Sequence, residues 1–340
     1  MALQPWLWLV VAACDATVGG RARVTIDASG STFQKAAQEV WADVFRRAHR
    51  HVTINYAGGG SGKGRQDFAD GTVDFACTDA PFKPAERARV RSEFFYIPTL
   101  LGAITVSYHL PGDPALVFSA ATLADIFERR IDRWNAPAIA NDNAGITLPD
   151  LEIVVVRRSD GSGTTENFTR FLAEFSGGAW KRASGSTVAW PTDTRAGYGN
   201  GGVARIVKTT VGAIGYLDLS DAKASRLTCA AIENRAGRPI YPDVASVTAA
   251  GEGIEIGDDL VFSALAAGND LAYPITAPSW CMVYAKPLDP VTGGEIAAYF
   301  RYVLTDGQAL LAEIDFAPLP SSLRTRVLAQ IERLAVGTQE

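Results

Sequence analysis

Residues Arg158–Thr164 read R-S-D-G-S-G-T and run directly into T-E-N-F-T-R-F-L-A-E-F, Thr165–Phe175. Just before them lies a β-branched run, L-E-I-V-V-V-R at Leu151–Arg157, and just after them Phe168, Phe171, Leu172 and Phe175 recur at helical spacing. A short apolar run followed by that period predicts a strand that turns straight into a helix. The first N–H groups of such a helix have no carbonyl one turn back to bond, so they face any anion placed before them. Arg158 adds a charge that does not titrate. Taken alone, the segment has a plainer reading, in which Ser162 and Thr164 only cap the helix.

Three more segments carry the same signature. D-A-S-G-S-T-F at Asp27–Phe33 follows the strand Val24–Ile26 and precedes a helix whose apolar face is Ala37, Val40, Trp41, Val44, Phe45 and Ala48. A-G-G-G-S-G-K-G at Ala57–Gly64 follows the alternating strand Val52, Ile54, Tyr56 and opens a helix through Phe68 and Ala69. G-T-V-D-F-A-C-T-D-A-P at Gly71–Pro81 is a strand ending in a carboxylate, Asp79. Strands alternating with helices along the whole chain predict α/β units with largely parallel sheets.

These segments, with I-D-R-W-N-A-P-A-I at 131–139, G-A-I-G-Y at 212–216 and P-L-P at 318–320, resemble in one continuous order the phosphate-binding proteins of high-affinity, Pst-type phosphate ABC importers. The resemblance implies a two-lobed, periplasmic-binding-protein-like fold of type II. Each lobe would be a mixed, mostly parallel sheet flanked by helices, with the ligand in the cleft between them. It implies crossings near Leu100–Tyr108 and Leu271–Pro274, hence one lobe of residues 24–102 and 275–340 and another of residues 103–274. The implied phosphate ligands are Thr32, Phe33 and Ser61 in the first lobe, with Asp79 as an unusual carboxylate set against an anion. In the second they are Arg158, clamping two oxygens, and Ser162, Gly163 and Thr164 at the helix start. Asp160 is implied to hold the plane of Arg158 without touching the ligand. Gln34 and Lys63 depart from the family pattern, and Lys63 is either a charge at the cleft mouth or a solvated loop residue. No cofactor and no metal are implied, and the partners would be inorganic phosphate and a membrane permease, with the receptor itself a monomer.

Asp79 carries the chemical distinction. Phosphate near neutral pH retains a proton that a carboxylate can accept, whereas sulfate has none and would meet only a lone pair. A site built on one specific hydrogen bond rejects the analogue lacking it by roughly 10⁴ to 10⁵. The competing readings are a receptor for sulfate, molybdate or another tetrahedral oxyanion, and a secreted hydrolase of phosphate esters.

Composition fits the same class. The 340 residues are 47% apolar and 20% charged, enough for two lobes of ordinary size. A net charge of −5 argues against nucleic acid or an anionic membrane as partner, but not against a buried anion, which local donors govern. Catalytic motifs are missing: His49, His51 and His109 stand beside no nucleophile, and no Ser lies in a G-x-S-x-G elbow. The glycine loop fails as a nucleotide P-loop because Ala57 and Gly64 replace its first Gly and its Ser or Thr.

Met1–Cys14 is uncharged and contains W-L-W-L-V-V-A-A-C, too short to span a bilayer, so residues 1–20 read as an export signal. Val11–Cys14 resembles a lipoprotein signal that would anchor the mature chain through Cys14; simple cleavage near Gly19 or Gly20 is the alternative. The protein is expected to be periplasmic or on the cell surface. Of the other cysteines, Cys229 and Cys281 lie in apolar strands and are the pair considered for a disulfide, while Cys77 lies in the strand leading to Asp79; the alternative is buried free thiols.

Overall fold

The computed structural model describes residues 17–18, 20–287 and 289–336; Cys14 and nearly all of the segment read as an export signal lie outside them. Nine strands form the main sheet: β1 (Val24–Gly30), β2 (Val52–Gly58), β3 (Phe75–Thr78), β4 (Phe94–Tyr108), β5 (Val154–Arg158), β6 (Arg195–Gly197), β7 (Ala213–Asp218), β8 (Thr228–Cys229) and β9 (Thr276–Tyr284). Their spatial order is β2-β1-β3-β9-β4-β7-β5-β6, with β8 added to β4. β1 is parallel to β2 and β3, and β5 is parallel to β6 and β7. β4 and β9 run antiparallel to their neighbours, so the expected parallel pairing holds for the outer strands only.

β4 joins the two lobes. Its first part, Phe94 to Ala103, pairs with β9, and its last part, Ile104 to Tyr108, pairs with β7. Its side chains are buried from Ile97 onward, as expected of a strand covered on both faces. The helices pack by their apolar stripes: α1 (Lys35–Ala48) buries Ala37, Trp41 and Phe45, and α2 (Ser61–Asp70) buries Phe68. In the other lobe, α3 (Gly163–Phe175) buries Phe168, Phe171 and Leu172, and α4 (Gly199–Thr209) buries Val203 and Val207. β1, β2 and β3 end at Gly30, Gly58 and Thr78, and β5 and β6 end at Arg158 and Gly197. The loops that follow these carboxyl ends meet, and such a crevice is where open α/β sheets bind ligands.

Strand register rules out the Cys229–Cys281 disulfide considered from the sequence. Cys229 lies opposite Ser107 of β4, whereas Cys281 lies opposite Ile97 of the same strand. At about 3.3 Å per residue these positions are roughly 30 Å apart, and a disulfide needs Cα atoms within about 7 Å. Cys281 instead faces Cys77 on β3.

Candidate anion-binding site

Asp79 is 2% exposed and follows directly on β3. Its Oδ1 accepts the hydroxyls of Ser31 and Ser279, both at 2.6 Å, and its Oδ2 accepts that of Ser61 at 3.0 Å. A carboxylate offers about four lone-pair sites, so one acceptor position remains, on Oδ2. Burial pushes the Asp79 carboxyl above its usual range, against the pull of the hydroxyls of Ser279, Ser31 and Ser61 and of the Arg158 charge.

The opposing wall is the strand-to-helix turn at the end of β5. Arg158, 3% exposed, donates from Nε to Asp160 Oδ1 at 2.8 Å and from Nη2 to Asp160 Oδ2, so that edge of the guanidinium belongs to Asp160. Nη1 donates to Asn200 Oδ1 at 2.9 Å and more weakly to Thr164 Oγ1 at 3.3 Å. One Nη2 proton is therefore left for a ligand, and the weakly held Nη1 proton beside it can be shared with one. Burial alone would raise the Asp160 carboxyl, but Arg158 and the N–H of Gly199 hold it below the usual range. Tyr216, from G-A-I-G-Y, fixes the turn: its hydroxyl accepts the N–H of Arg158 at 3.2 Å and bonds Thr165 Oγ1 at 2.7 Å.

Ser162 caps α3, its Oγ accepting the N–H of Thr165 at 3.1 Å, and its own N–H is taken by Ser186 O. The capping reading of Ser162 is thus realised, and of its donors only the hydroxyl proton is left. Gly163 and Thr164 are the first two helical residues, whose N–H groups have no partner within the helix. Ser61 holds the same place in α2, after Gly60 at φ +87°. A Cβ on Gly163 would come within 2.5 Å of Ser61 Oγ and 2.8 Å of Asp79 Cβ. Only glycine lets the start of α3 touch the carboxylate from the other lobe.

Thr32 is half-buried, and its Oγ1 accepts the N–H of Asn200 at 3.4 Å. Phe33 requires a correction: its N–H, expected to face the ligand, donates to Ser31 Oγ at 3.0 Å because the chain turns tightly after Gly30. Its ring is buried against Phe316. Lys63 is exposed on α2 and pairs with Asp67 one turn on, so it is a solvated helix residue and not a charge at the cleft.

Several residues escaped the sequence reading. Ser279 reaches Asp79 from β9, and Gln34 donates to Ser279 Oγ at 2.7 Å, so the departure at position 34 supports the carboxylate from behind. Asn167 Nδ2 donates to Asp79 O across the cleft at 2.6 Å. Asn200 is fully buried, touches both Arg158 and Thr32, and its Nδ2 has no partner. Arg65, 1% exposed, reaches Glu86 in its own lobe at 3.1 Å and Glu166 in the other at 3.8 Å. With Gly62 N donating to Gly161 O at 2.8 Å, these contacts hold the lobes closed. Only G-Y-G-N-G-G at Gly197–Gly202 could have signalled Asn200, as another glycine-opened helix start.

Comparison with known proteins decides the family. Residues 15–307 match the model of the PBP superfamily domain. The chain is 32% identical over 312 residues to the phosphate-binding protein PstS of Pasteurella multocida, covering 90% of this chain and 89% of the relative. It is 36% identical over 310 residues to PstS of Methanocaldococcus jannaschii, covering 84% and 79%. The chain belongs to the PstS family of phosphate-binding proteins. Solved structures agree on the fold: a high-affinity periplasmic phosphate-binding protein, PfluDING, superposes with a TM-score of 0.73 at 20% identity, covering 90% of this chain and 93% of that one. The phosphate-binding protein of Stenotrophomonas maltophilia does so with 0.69 at 19%, covering 90% and 94%.

Proposed function

We propose that the protein binds inorganic phosphate between its lobes, outside the cytoplasm, and delivers it without catalysis to the membrane permease of an ABC importer. One observation carries the choice of ligand: a cleft of N–H and O–H donors that contains one buried carboxylate with one acceptor position left. The donors are the N–H groups of Ser61, Gly163 and Thr164, the hydroxyls of Thr32, Ser162 and Thr164, the outer edge of Arg158 and the amide of Asn200. An oxyanion with one proton satisfies every one of these groups, and a fully deprotonated one leaves Asp79 facing negative charge. The Phe33 N–H would join only by sharing its proton with Ser31.

The lobes are taken as 24–102 with 275–340, and 103–274, a division supported by the change of partner in β4 between Ala103 and Ile104. Arg65–Glu166, Gly62–Gly161 and Asn167–Asp79 would form only on closure, giving the permease a shape that reports occupancy. A monomeric receptor, exported by the N-terminal signal and either anchored through Cys14 or released, completes the reading. Calorimetry on ligand-stripped protein with phosphate, arsenate, sulfate and molybdate tests it. Tight phosphate and arsenate binding with sulfate at least a thousandfold weaker is expected; equal affinity for sulfate would overturn the assignment.

A further inference from the structure

Cys77 and Cys281 are both fully buried and directly opposed in the ladder between β3 and β9. Opposed residues of antiparallel strands have Cα atoms about 4.5 to 5.5 Å apart, inside the range of about 4.4 to 6.8 Å that disulfides use. The two Sγ atoms lie 2.8 Å from each other, and the Gln38 amide donates to both, at 3.6 and 3.4 Å. The third described cysteine, Cys229, sits beside Ser107 in the other lobe.

We propose that Cys77 and Cys281 are joined by a disulfide, made as the exported chain folds, that staples β3 to β9 directly behind the anion site. The proposal rests on the export reading above, because disulfides persist in oxidising compartments. The chemistry is thiol–disulfide exchange with a protein disulfide of the oxidising compartment. The thiolate of one cysteine attacks that disulfide and releases one oxidant sulfur as a thiol. The second thiolate then attacks the mixed disulfide, forming the Sγ–Sγ bond and releasing the other oxidant sulfur. Two protons and two electrons leave the pair, and the oxidant becomes a dithiol. Neither sulfur is reachable in the folded protein, so exchange must precede closure of β3 on β9.

The position gives the bond a purpose. Cys77 lies two residues before Asp79 and Cys281 two residues after Ser279, the pair whose 2.6 Å bond anchors the carboxylate. The two cysteines are 204 positions apart and belong to the two separate sequence segments of the first lobe. Linking them closes a loop around the whole second lobe, and cross-links that close long loops constrain the unfolded chain most.

The test uses the full chain, expressed with its own leader, purified without reductant, then denatured in an alkylating reagent and digested. A peptide pair joining Cys77 to Cys281, resolved into two peptides by reductant, with Cys229 alkylated from the start, is the expected result. Protein reduced while unfolded and refolded with reductant present should melt several degrees below the oxidised protein, and the Cys77→Ser/Cys281→Ser variant should show no such difference. Alkylation of Cys77 and Cys281 without reduction, in protein that binds phosphate, overturns the proposal. A second sample, unfolded and refolded with a mixture of reduced and oxidised glutathione, tells the causes apart. If it forms the Cys77–Cys281 link, the failure lies with the compartment; if it folds with both thiols free or linked to Cys229, the failure lies with the geometry.

Discussion

Replacing Asp79 by asparagine exchanges a group that only accepts for one that also donates. The amide oxygen should keep the place of Oδ1, because Ser31 and Ser279 both donate there at 2.6 Å. The NH2 then takes the place of Oδ2, facing Ser61 and the anion, and Ser61 becomes its acceptor. Phosphate loses the acceptor for its proton, a hydrogen bond to a charged group worth roughly 1.5 to 3 kcal/mol. Sulfate exchanges a repelling lone pair for a donor. The ratio of sulfate to phosphate dissociation constants should therefore shrink by more than about tenfold, or 1.4 kcal/mol. Both constants are measured by calorimetry at one pH on stripped wild type and variant, with unfolding midpoints as the check on folding. An unchanged ratio in a folded variant would remove Asp79 as the reader of the ligand's proton.

Arg158→Ala should weaken phosphate binding by at least about 2 kcal/mol and also lower the unfolding midpoint, since it leaves Asp160 buried without its partner; Arg158→Lys, which lacks the planar fork, should recover only part of the affinity in the same titrations. Asn200→Ala should cost phosphate affinity by about tenfold, the net worth of an ordinary hydrogen bond, through the lost Nδ2 donor and the loosened Arg158; a wild-type constant would make Asn200 purely structural. The Asp160 carboxyl is held low in the folded protein, so its contribution is present above the unfolded value of about 3.9 and is lost as pH falls through the lower folded value. The stability gap between wild type and Asp160→Asn, read from urea midpoints, should accordingly be widest near neutral pH and close in acid. A gap independent of pH would assign the effect to packing.

The anchors of the site were legible in the sequence because each stands at a place where the chain declares its own local geometry. Asp79 ends an apolar strand, and Ser61 and Gly163 open glycine-led helices whose first N–H groups have no internal partner. What surrounds them was not legible. Ser279 and Asn167 sit in ordinary strand and helix sequence, Asn200 in a glycine-opened helix start that nothing local ties to the anion, and all three reach the site only because β9 and the second lobe are folded against it. Phe33 and Ser162 show the converse: their motifs were visible, but the Ser31 hydroxyl in the same turn and the Ser186 carbonyl from the loop beyond α3 had already claimed their N–H groups. The cysteines make the same point over a longer range, since apolar context marked Cys229 and Cys281 as equals and only the register along β4 put them about 30 Å apart. Sequence by itself determined the α/β class, the strand-to-helix turns and the anionic character of the ligand, all consequences of interactions within a few residues. Tertiary structure decided which donors remain free, which carboxylate oxygen is left to read a proton and which thiols meet, because each depends on partners some forty to two hundred positions away that only the closed sheet brings within 3 Å.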